Sequence, residues 1–296
     1  MNSIKAALIQ QQMNADYRTN LDYSIKQIKS AAESGADLVV LCELHSSVYF
    51  CQEESSQYFD LAQTIPGPLT EELSLAAKEN NIVVIGSLFE KRTSGLYHNT
   101  AVVFDKDGSL AGKYRKMHIP DDPGYYEKYY FASGDLGFTP IQTSIGKLGV
   151  MVCWDQWFPE AARLMTLAGA EVLIYPSAIG WDTNDNSEEQ QRQFHVWQTI
   201  QQSHAIANNL PLISTNRVGH ESDPSNQTKG ITFWGQSFVT DSMGKIIAQA
   251  SASDVETVLT TINLDETEQT RQVWPYLRDR RIDAYTDINK RYIDED

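Results

Sequence analysis

Short apolar runs alternate with helical patterns along this chain. Apolar runs of strand length occupy 5–10, 36–42, 81–89, 147–153, 170–176 and 210–216. Within the second run the letters LVVLC are continuously apolar, which is typical of a strand covered on both faces. After the first run, apolar side chains recur at helical spacing, at Leu21, Ile25, Ile28 and Ala32. The pattern therefore predicts alternating strands and helices.

Further helices and hairpins follow from the same signals. A second helical stripe contains Ala161, Leu164, Met165 and Ala168. Gly35 and Gly169 each follow a stripe and favour a helix end there. We also predict helices at about 69–79 and 188–208. The tract 97–116 is typical of two strands joined around Asp107-Gly108, and hairpin-like strands follow near 235–250 and 255–263.

The order of these elements predicts an α/β fold. A Rossmann sheet would contain fewer hairpins, and a TIM barrel would alternate strands and helices more strictly. Two mixed sheets packed together with helices outside explain the order better. Because no Pro-, Gly- or Ser-rich linker divides the chain, we expect one main domain, residues 1–270. Residues 271–296 form a charged and aromatic tail, which we expect to pack on the same or a neighbouring subunit.

Composition narrows the classes of function. The 296 residues carry a formal net charge of -15, which disfavours nucleic-acid and membrane partners and mildly favours a cationic small molecule. No apolar stretch has the length of a membrane span, and the N-terminus lacks a signal-peptide layout. The three cysteines form no CxxC pair and leave an odd count. We therefore expect free thiols in a reducing cytoplasm.

Three predicted strands end in residues that can react. Glu43 follows one strand, Lys116 follows the hairpin, and Cys153 ends a third strand. Sites of α/β folds form at such ends, and neighbouring strands lie about 5 Å apart. A thiol needs a base to become a nucleophile, and attack on a carbonyl needs a cation or N–H donors for the oxyanion. The three residue types together supply these roles.

Taken singly, the same residues have ordinary structural explanations. A lone cysteine such as Cys153 is more often a small core residue, an interpretation that we keep for Cys42 and Cys51. The six histidines show no metal-ligand spacing, so we expect neither a metal nor another cofactor. A Cys–His dyad with His118 or His45 stays open at this point. Only the combination of thiol, carboxylate and lysine favours catalysis.

The segments VVLCELH, KYRKMHIP and GVMVCWDQWFPE resemble the Glu-Lys-Cys signatures of the nitrilase superfamily of carbon–nitrogen hydrolases. The similarity runs over about residues 4–270. It implies an α-β-β-α sandwich that dimerises into an extended αββα-αββα unit. It also implies that Glu43, Lys116 and Cys153 are catalytic, and that Glu127 in GYYEKYYFASGD orients Lys116 and the base.

Within this superfamily, KMHIPDDPGYYEKYYFASGD, YPSAIGW and FWGQSFV most resemble the N-carbamoylputrescine amidohydrolases. The resemblance implies hydrolysis of a ureido C–N bond through a carbamoyl-enzyme at Cys153, in polyamine biosynthesis. We expect the backbone N–H of Trp154 to assist Lys116 at the oxyanion, because a turn leaves that amide free. The tract 181–211 differs from the plant enzymes and leaves the substrate less certain than the reaction.

The implied substrate is a small cationic carbamoyl-amine, whose ammonium needs a carboxylate or an aromatic face. Asp182 is a candidate partner for that ammonium, and Asp122 is a second one. Trp181 or Tyr125 is expected to line the channel. Taken singly, Asp182 and Asp122 are each better explained as solvated acids on the surface of an acidic protein.

Three alternatives remain. A related amidase acting on an N-carbamoyl β-amino acid or an ω-amide would need a cation for the substrate's carboxylate, and Arg192 or Arg217 is suitable. A non-catalytic binding subunit is disfavoured by the intact set of reactive residues. A thiol redox protein is disfavoured because no resolving cysteine is recognisable. We expect a homodimer or higher homo-oligomer, with Trp274, Tyr276, Tyr285 and Tyr292 of the tail as an intersubunit strap.

Overall fold

The computed structural model describes residues 2–182 and 184–294, and of Asp182 it describes the backbone alone. Its strands are β1 (Ser3–Gln10), β2 (Leu38–Leu41), β3 (Val83–Thr93), β4 (Leu96–Phe104), β5 (Leu110–Arg115), β6 (Ile141–Thr143), β7 (Gly146–Val150), β8 (Val172–Ser177), β9 (Gly180–Asp182), β10 (Leu212–Asn216), β11 (Val218–Glu221), β12 (Ile231–Trp234), β13 (Phe238–Thr240), β14 (Ile246–Gln249) and β15 (Glu256–Asn263). Its α-helices are α1 (Tyr17–Glu33), α2 (Pro68–Asn80), α3 (Glu127–Tyr130), α4 (Pro159–Leu167), α5 (Ser187–Asn208) and α6 (Leu264–Val273).

The strands form two mixed six-stranded sheets and a small third sheet. The first sheet has the order β15-β1-β2-β3-β4-β5, and the second has the order β14-β13-β10-β8-β7-β6. In each, three parallel strands stand in the middle and antiparallel strands flank them. Parallel central strands are buried on both faces, which explains why their sequences are continuously apolar.

Alternation along β1 shows how the layers are built. Ala6 and Leu8 belong to the apolar core shared with the second sheet, whereas Ala7 and Ile9 pack beneath α1 and α2. Successive side chains of a strand point to opposite faces, so one strand serves both interfaces. On the far side, α4 and α5 cover the second sheet through side chains such as Trp197. The result is the predicted α-β-β-α sandwich.

The structure departs from the sequence prediction at three places. The strand predicted to reach Cys153 ends at Val150. The strand near 255–263 does not pair with the hairpin before it but runs antiparallel to β1 in the other sheet. The third sheet, β11-β12-β9, was not predicted. The last two differences depend on pairing between distant segments, which a local pattern does not encode.

A buried charge cluster ties together the meander that ends at Lys116. Glu90 on β3 accepts a bidentate pair of hydrogen bonds from Arg115 on β5, both at 2.8 Å, and another from Lys113 at 2.7 Å. Thr100 on β4 donates to the same carboxylate at 2.6 Å. Burial alone would raise the pKa of Glu90, but these donors outweigh it and lower that pKa to about 2. The cluster thus fixes the strand that delivers Lys116.

We expect Glu90→Gln to lower the free energy of unfolding by about 3 kcal/mol at pH 7, because buried Arg115 and partly buried Lys113 lose the carboxylate of Glu90 and Arg115 keeps only its bond to Asp135. The Glu90 pKa is lower in the folded than in the unfolded chain, so its stabilisation is present above about pH 4.5 and is lost as the pH falls towards 2. Urea unfolding at pH 7 and pH 4 measures the effect. If the difference in the free energy of unfolding between wild type and Glu90→Gln grew as the pH fell, this explanation would be contradicted.

The predicted tail differs from the sandwich in the exposure of its aromatic side chains. The boundary predicted between residues 270 and 271 lies inside α6, and beyond it Trp274 and Tyr292 are 53% and 75% exposed. Their packing on a second chain stays a prediction, as does the division into domain and tail. In the part of the chain that the structure describes, no helix is long and apolar enough to cross a bilayer.

Candidate active site

Cys153 lies in a supported turn just past β7. It opens a 3₁₀ helix (Cys153–Trp157) and has a positive φ of 42°, which is uncommon outside glycine. Asp155 stabilises this turn: its Oδ2 accepts from the Val152 N–H at 3.0 Å and the Tyr114 hydroxyl at 2.9 Å, and its Oδ1 accepts from the His118 N–H at 3.0 Å. A buried carboxylate therefore fixes the turn that carries the thiol.

The lysine and two glutamates predicted from sequence lie in direct contact. Lys116 Nζ donates to Glu43 Oε1 at 2.8 Å and to both carboxylate oxygens of Glu127 at 2.9 and 2.7 Å. Glu127, the first residue of α3, also accepts from the Tyr49 hydroxyl at 2.7 Å. All three charged side chains are at most 1% exposed. Two carboxylates and one ammonium thus share a site without water between them.

The environment of Cys153 keeps its thiol protonated at rest. Burial and the negative charge of Glu43 raise the Cys153 pKa well above its usual value, and the opposing charge of Lys116 does not compensate. A protonated thiol is a weak nucleophile, so it needs a base at the moment of attack. The charges of Glu43 and Glu127 both act on this thiol, and Glu43 is the carboxylate predicted to accept its proton.

Lys116 stays charged in this setting. Burial alone would lower its pKa, but Glu127 and Glu43 outweigh burial and raise the pKa well above its ordinary value. Burial raises the pKa of Glu127 to about 7, and the negative charge of Glu43 adds to this against the pull of Lys116. The site therefore keeps a permanent cation beside a carboxyl group that titrates near neutral pH.

A cavity of about 350 Å³ opens beside the thiol. Its lining comprises Pro120, Asp122, Pro123, Tyr125, Glu127, Cys153, Trp154, Trp157, Ala178, Ile179, Gly180, Asp185, Arg192, Gln193, Val196 and Trp234. Apolar and aromatic walls with a few convergent polar groups are typical of small-molecule sites. Two carboxylates in the lining, Asp122 and Asp185, lie outside the Glu43–Lys116–Glu127 cluster.

The predicted substrate residues divide into two groups. Tyr125 and Asp122 line the cavity, and the Tyr125 hydroxyl is anchored by the Gly180 N–H at 3.1 Å. Trp181 is not among the lining residues: its indole N–H donates to the Gln190 carbonyl at 2.9 Å, and its ring packs on Trp234, which lines the cavity. A contact between Trp181 and a substrate stays a prediction. The side chain of Asp182 lies outside the described residues.

The two arginines weighed for an acidic substrate also differ. Arg192 lines the cavity. Arg217 is fully buried elsewhere, where it pairs with Glu221 at 2.8 Å and donates to the carbonyls of Glu43 and Leu44 at 2.8 and 3.0 Å. Arg217 is therefore a structural cation and is not placed to meet a ligand.

The other two thiols lie outside the lining of the cavity. Cys42 and Cys51 are fully buried free cysteines, and burial raises the pKa of each. Across residues 2–182 and 184–294, no group of three His, Cys, Asp or Glu side chains is arranged to hold a metal ion.

Comparison with known proteins agrees with this geometry. The model of the carbon–nitrogen hydrolase family matches residues 5–272. The chain belongs to this family. A carbon–nitrogen hydrolase from Helicobacter pylori G27 has a crystal structure that is 53% identical, covers 98% of this chain and 100% of its own, and superposes with a TM-score of 0.96.

Two curated relatives carry more specific names. A citrullinase from Francisella tularensis is 42% identical over 293 residues, 99% of this chain and 100% of that protein. An N-carbamoylputrescine amidase from Solanum lycopersicum is 39% identical over 284 residues, 95% of this chain and 93% of that protein. This carbon–nitrogen hydrolase is thus a hydrolase of C–N bonds other than peptide bonds.

Sequence patterns missed two residues that contact the Glu43–Lys116–Glu127 cluster of this carbon–nitrogen hydrolase, Tyr49 and Asn99, and they gave a third, Arg217, a different role. Tyr49 donates to Glu127, Asn99 donates to Glu43 at 2.7 Å, and Arg217 holds the backbone after Glu43. Their partners lie 78, 56 and 174 residues away along the chain. Asn99 alone among them has a local signal: its neighbour Thr100 pairs with Arg115 in the β4–β5 ladder, and the Asn99 carbonyl accepts from the Lys116 N–H at 2.9 Å.

Proposed function

We propose that this hydrolase converts N-carbamoylputrescine to putrescine, CO2 and ammonia through a carbamoyl-enzyme at Cys153. The observation that carries the proposal is the acidic cavity beside the thiol, to which Asp122 and Asp185 contribute carboxylates. N-carbamoylputrescine carries a ureido group at one end, which the Cys153 thiol can attack, and an ammonium at the other, which carboxylates can bind. The name of the tomato relative supports the same substrate.

The first half of the reaction forms the thioester-like intermediate. Glu43 takes the Cys153 proton while sulfur attacks the ureido carbonyl. Lys116 and the backbone N–H of Trp154 stabilise the resulting oxyanion; that N–H belongs to the first turn of the 3₁₀ helix that begins at Cys153. Glu43 then returns its proton to the leaving nitrogen, and ammonia departs.

The second half releases the product. Glu43 removes a proton from water, which attacks the carbamoyl carbon and returns the thiol with the proton from Glu43. The carbamate loses CO2 and leaves the free amine. Throughout both halves the charge of Lys116 is fixed, because its two carboxylate neighbours hold its pKa high. These steps need no group beyond the chain and water.

Hydrolysis of citrulline is the second candidate. The observation in its favour is Arg192, a cation in the cavity lining that could meet an amino-acid carboxylate, together with the name of the Francisella relative. Arg192 is, however, engaged by Glu189 through two hydrogen bonds of 2.7 Å, and its side chain is 67% exposed. A substrate carboxylate would have to displace Glu189, so the diamine derivative fits better.

We expect kcat/KM for N-carbamoylputrescine to exceed that for N-carbamoyl-β-alanine by at least about 100-fold, because the acidic lining attracts the first tail and repels the second. Citrulline is expected to fall between them. Ammonia release under matched conditions measures the three values. Equal or higher kcat/KM for citrulline would replace the first candidate with the second.

Charge-neutralising variants provide the matched control for this preference. Asp122→Asn or Asp185→Asn should raise KM for N-carbamoylputrescine about 10-fold and leave KM for N-carbamoyl-β-alanine unchanged or lower. Asp121→Asn removes a neighbouring carboxylate that is not among the lining residues, so it should change neither value. An equal effect of the Asp121 change would mean that overall charge, not the cavity, sets the preference.

A further inference from the structure

The two oxygens of the Glu43 carboxylate have different surroundings. Oε1 accepts from Lys116 Nζ at 2.8 Å and from Asn99 Nδ2 at 2.7 Å. Oε2 is buried, and no donor within the described residues reaches it. A buried carboxylate oxygen without a donor is costly and calls for a functional explanation. The arrangement leaves one oxygen saturated and the other available to receive a proton.

The orientation of the Asn99 amide follows from its own partners. The Ser87 hydroxyl accepts from the Leu44 N–H at 3.2 Å and donates to Asn99 Oδ1 at 3.3 Å. With Oδ1 engaged as an acceptor, the amide nitrogen points towards Glu43. The Asn99 carbonyl meanwhile accepts from the Lys116 N–H at 2.9 Å. One residue of β4 therefore touches both the base and the lysine.

The backbone beneath the base is held from the opposite side. Arg217 donates to the carbonyls of Glu43 and Leu44, and Leu44 has a positive φ of 49°. Such a backbone conformation persists only where the surroundings support it. With the backbone fixed by Arg217, the remaining freedom of Glu43 is rotation of its carboxylate. The contact that opposes this rotation, besides Lys116, is Asn99.

We propose that Asn99 is a positioning residue for catalysis: its amide holds Oε1 of Glu43, so that Oε2 is the oxygen that takes the proton of Cys153. Lys116 alone would not fix the carboxylate, because its ammonium also serves Glu127 and must approach the oxyanion. An amide donor is neutral and rigidly placed, so it restrains Glu43 without adding a charge to the site. This role applies whichever carbamoyl or amide substrate the cavity accepts.

Alkylation of Cys153 by iodoacetamide tests this proposal without a carbamoyl substrate. Sulfur forms a bond to carbon, iodide leaves, and the thiol proton passes to Glu43. We expect Asn99→Ala to lower the alkylation rate constant and kcat for ammonia release about 10- to 100-fold, with KM changed less than about threefold. Ser87→Ala, which frees the far end of the amide and the Leu44 N–H but leaves the Asn99–Glu43 hydrogen bond in place, should lower both rates less, and it serves if Asn99→Ala fails to fold.

The pH dependence separates positioning from a structural role. In Asn99→Asp the introduced carboxyl group can donate to Oε1 only when protonated, so its rates relative to wild type should rise as the pH falls. The ionisable groups that interact with Glu43 are the same in both proteins: Lys116, Glu127, Cys153, Cys42, Cys51, Tyr49, Tyr125 and Arg217. A changed profile therefore reports on residue 99.

Asn208 supplies the matched control. It is also a buried asparagine, but its Nδ2 donates to the His204 carbonyl within α5, away from the cluster. Asn208→Ala and Asn208→Asp should lower Tm and leave both rates unchanged. Wild-type rates and an unshifted profile for folded Asn99 or Ser87 variants would overturn the proposal. Intact alkylation without ammonia release by the wild type would instead refute the proposed substrate.

Discussion

Cys153→Ala is expected to abolish ammonia release, with kcat lowered at least about 10⁴-fold. The variant keeps the backbone turn that Asp155 stabilises, so the loss should come from the missing nucleophile and not from unfolding. Burial and Glu43 keep the Cys153 thiol protonated at rest, and no other thiol lines the cavity among the described residues. Substitution of Cys153 should therefore leave no replacement nucleophile.

Time courses of ammonia release by equal amounts of folded protein measure this effect. Cys42→Ala and Cys51→Ala are the controls, because both thiols are buried outside the cavity and should cost stability more than rate. Mass spectrometry of a quenched reaction should show a carbamoyl adduct on the Cys153 peptide. Wild-type turnover by Cys153→Ala would show that the reaction does not pass through this sulfur.

Lys116→Ala is expected to impair both chemistry and stability. Loss of an oxyanion donor lowers kcat about 10²- to 10³-fold. The same change leaves Glu43 and Glu127 buried without their shared cation, and breaking a buried pair costs about 3–5 kcal/mol. The two effects have one origin, since the ammonium of Lys116 lies 2.7–2.9 Å from oxygens of both carboxylates.

The pH dependence distinguishes this explanation from simple loss of packing. Without Lys116 the folded-state pKa of Glu127, already about 7, should rise further, because the two carboxylates repel each other. A raised folded-state pKa means stability that is lost as the pH rises. The deficit of Lys116→Ala should therefore be larger at pH 8 than at pH 6 in urea unfolding. Lys116→Met, which restores the stem without the charge, should show the same dependence.

If the stability deficit does not depend on pH in this way, the role assigned to the Lys116 charge would be wrong. A deficit independent of pH in both variants would mean that the lysine stem, not its charge, supports the site. Lys113, three residues earlier on β5, is the natural comparison, because it pairs with Glu90 and is not among the lining residues of the cavity. Lys113→Ala should lower stability modestly and leave kcat intact.

Much of the fold could be predicted from sequence because its elements are locally specified. Continuous apolar runs gave the central parallel strands, and glycines and the Asp107-Gly108 turn marked the ends. Two mixed sheets between helices followed from the order of these elements and are confirmed. The pairing of β15 with β1 could not be predicted, since a strand pattern states which face is apolar but not which distant strand lies beside it.

The same division applies to the site. Glu43, Lys116 and Cys153 were predicted because a base, a cation and a thiol are required together, whereas Glu127 was predicted only from the family resemblance. The structure brings the three charged residues into contact. The position of Trp181 could not be predicted, because a residue after a strand can turn either towards a cavity or against neighbouring side chains. Here its indole N–H donates to a carbonyl on α5, and the partly buried ring packs against the core beside Trp234.

The sequence by itself determined the kind of chemistry, through residue types at predicted strand ends and their resemblance to the nitrilase superfamily. Only the tertiary structure decided how that chemistry is arranged. The structure alone revealed the contacts that Asn99, Tyr49 and Arg217 make with this cluster, to partners 56, 78 and 174 residues away. Side chains from such distant segments can contact one another only after the sheets have assembled and excluded the water between them.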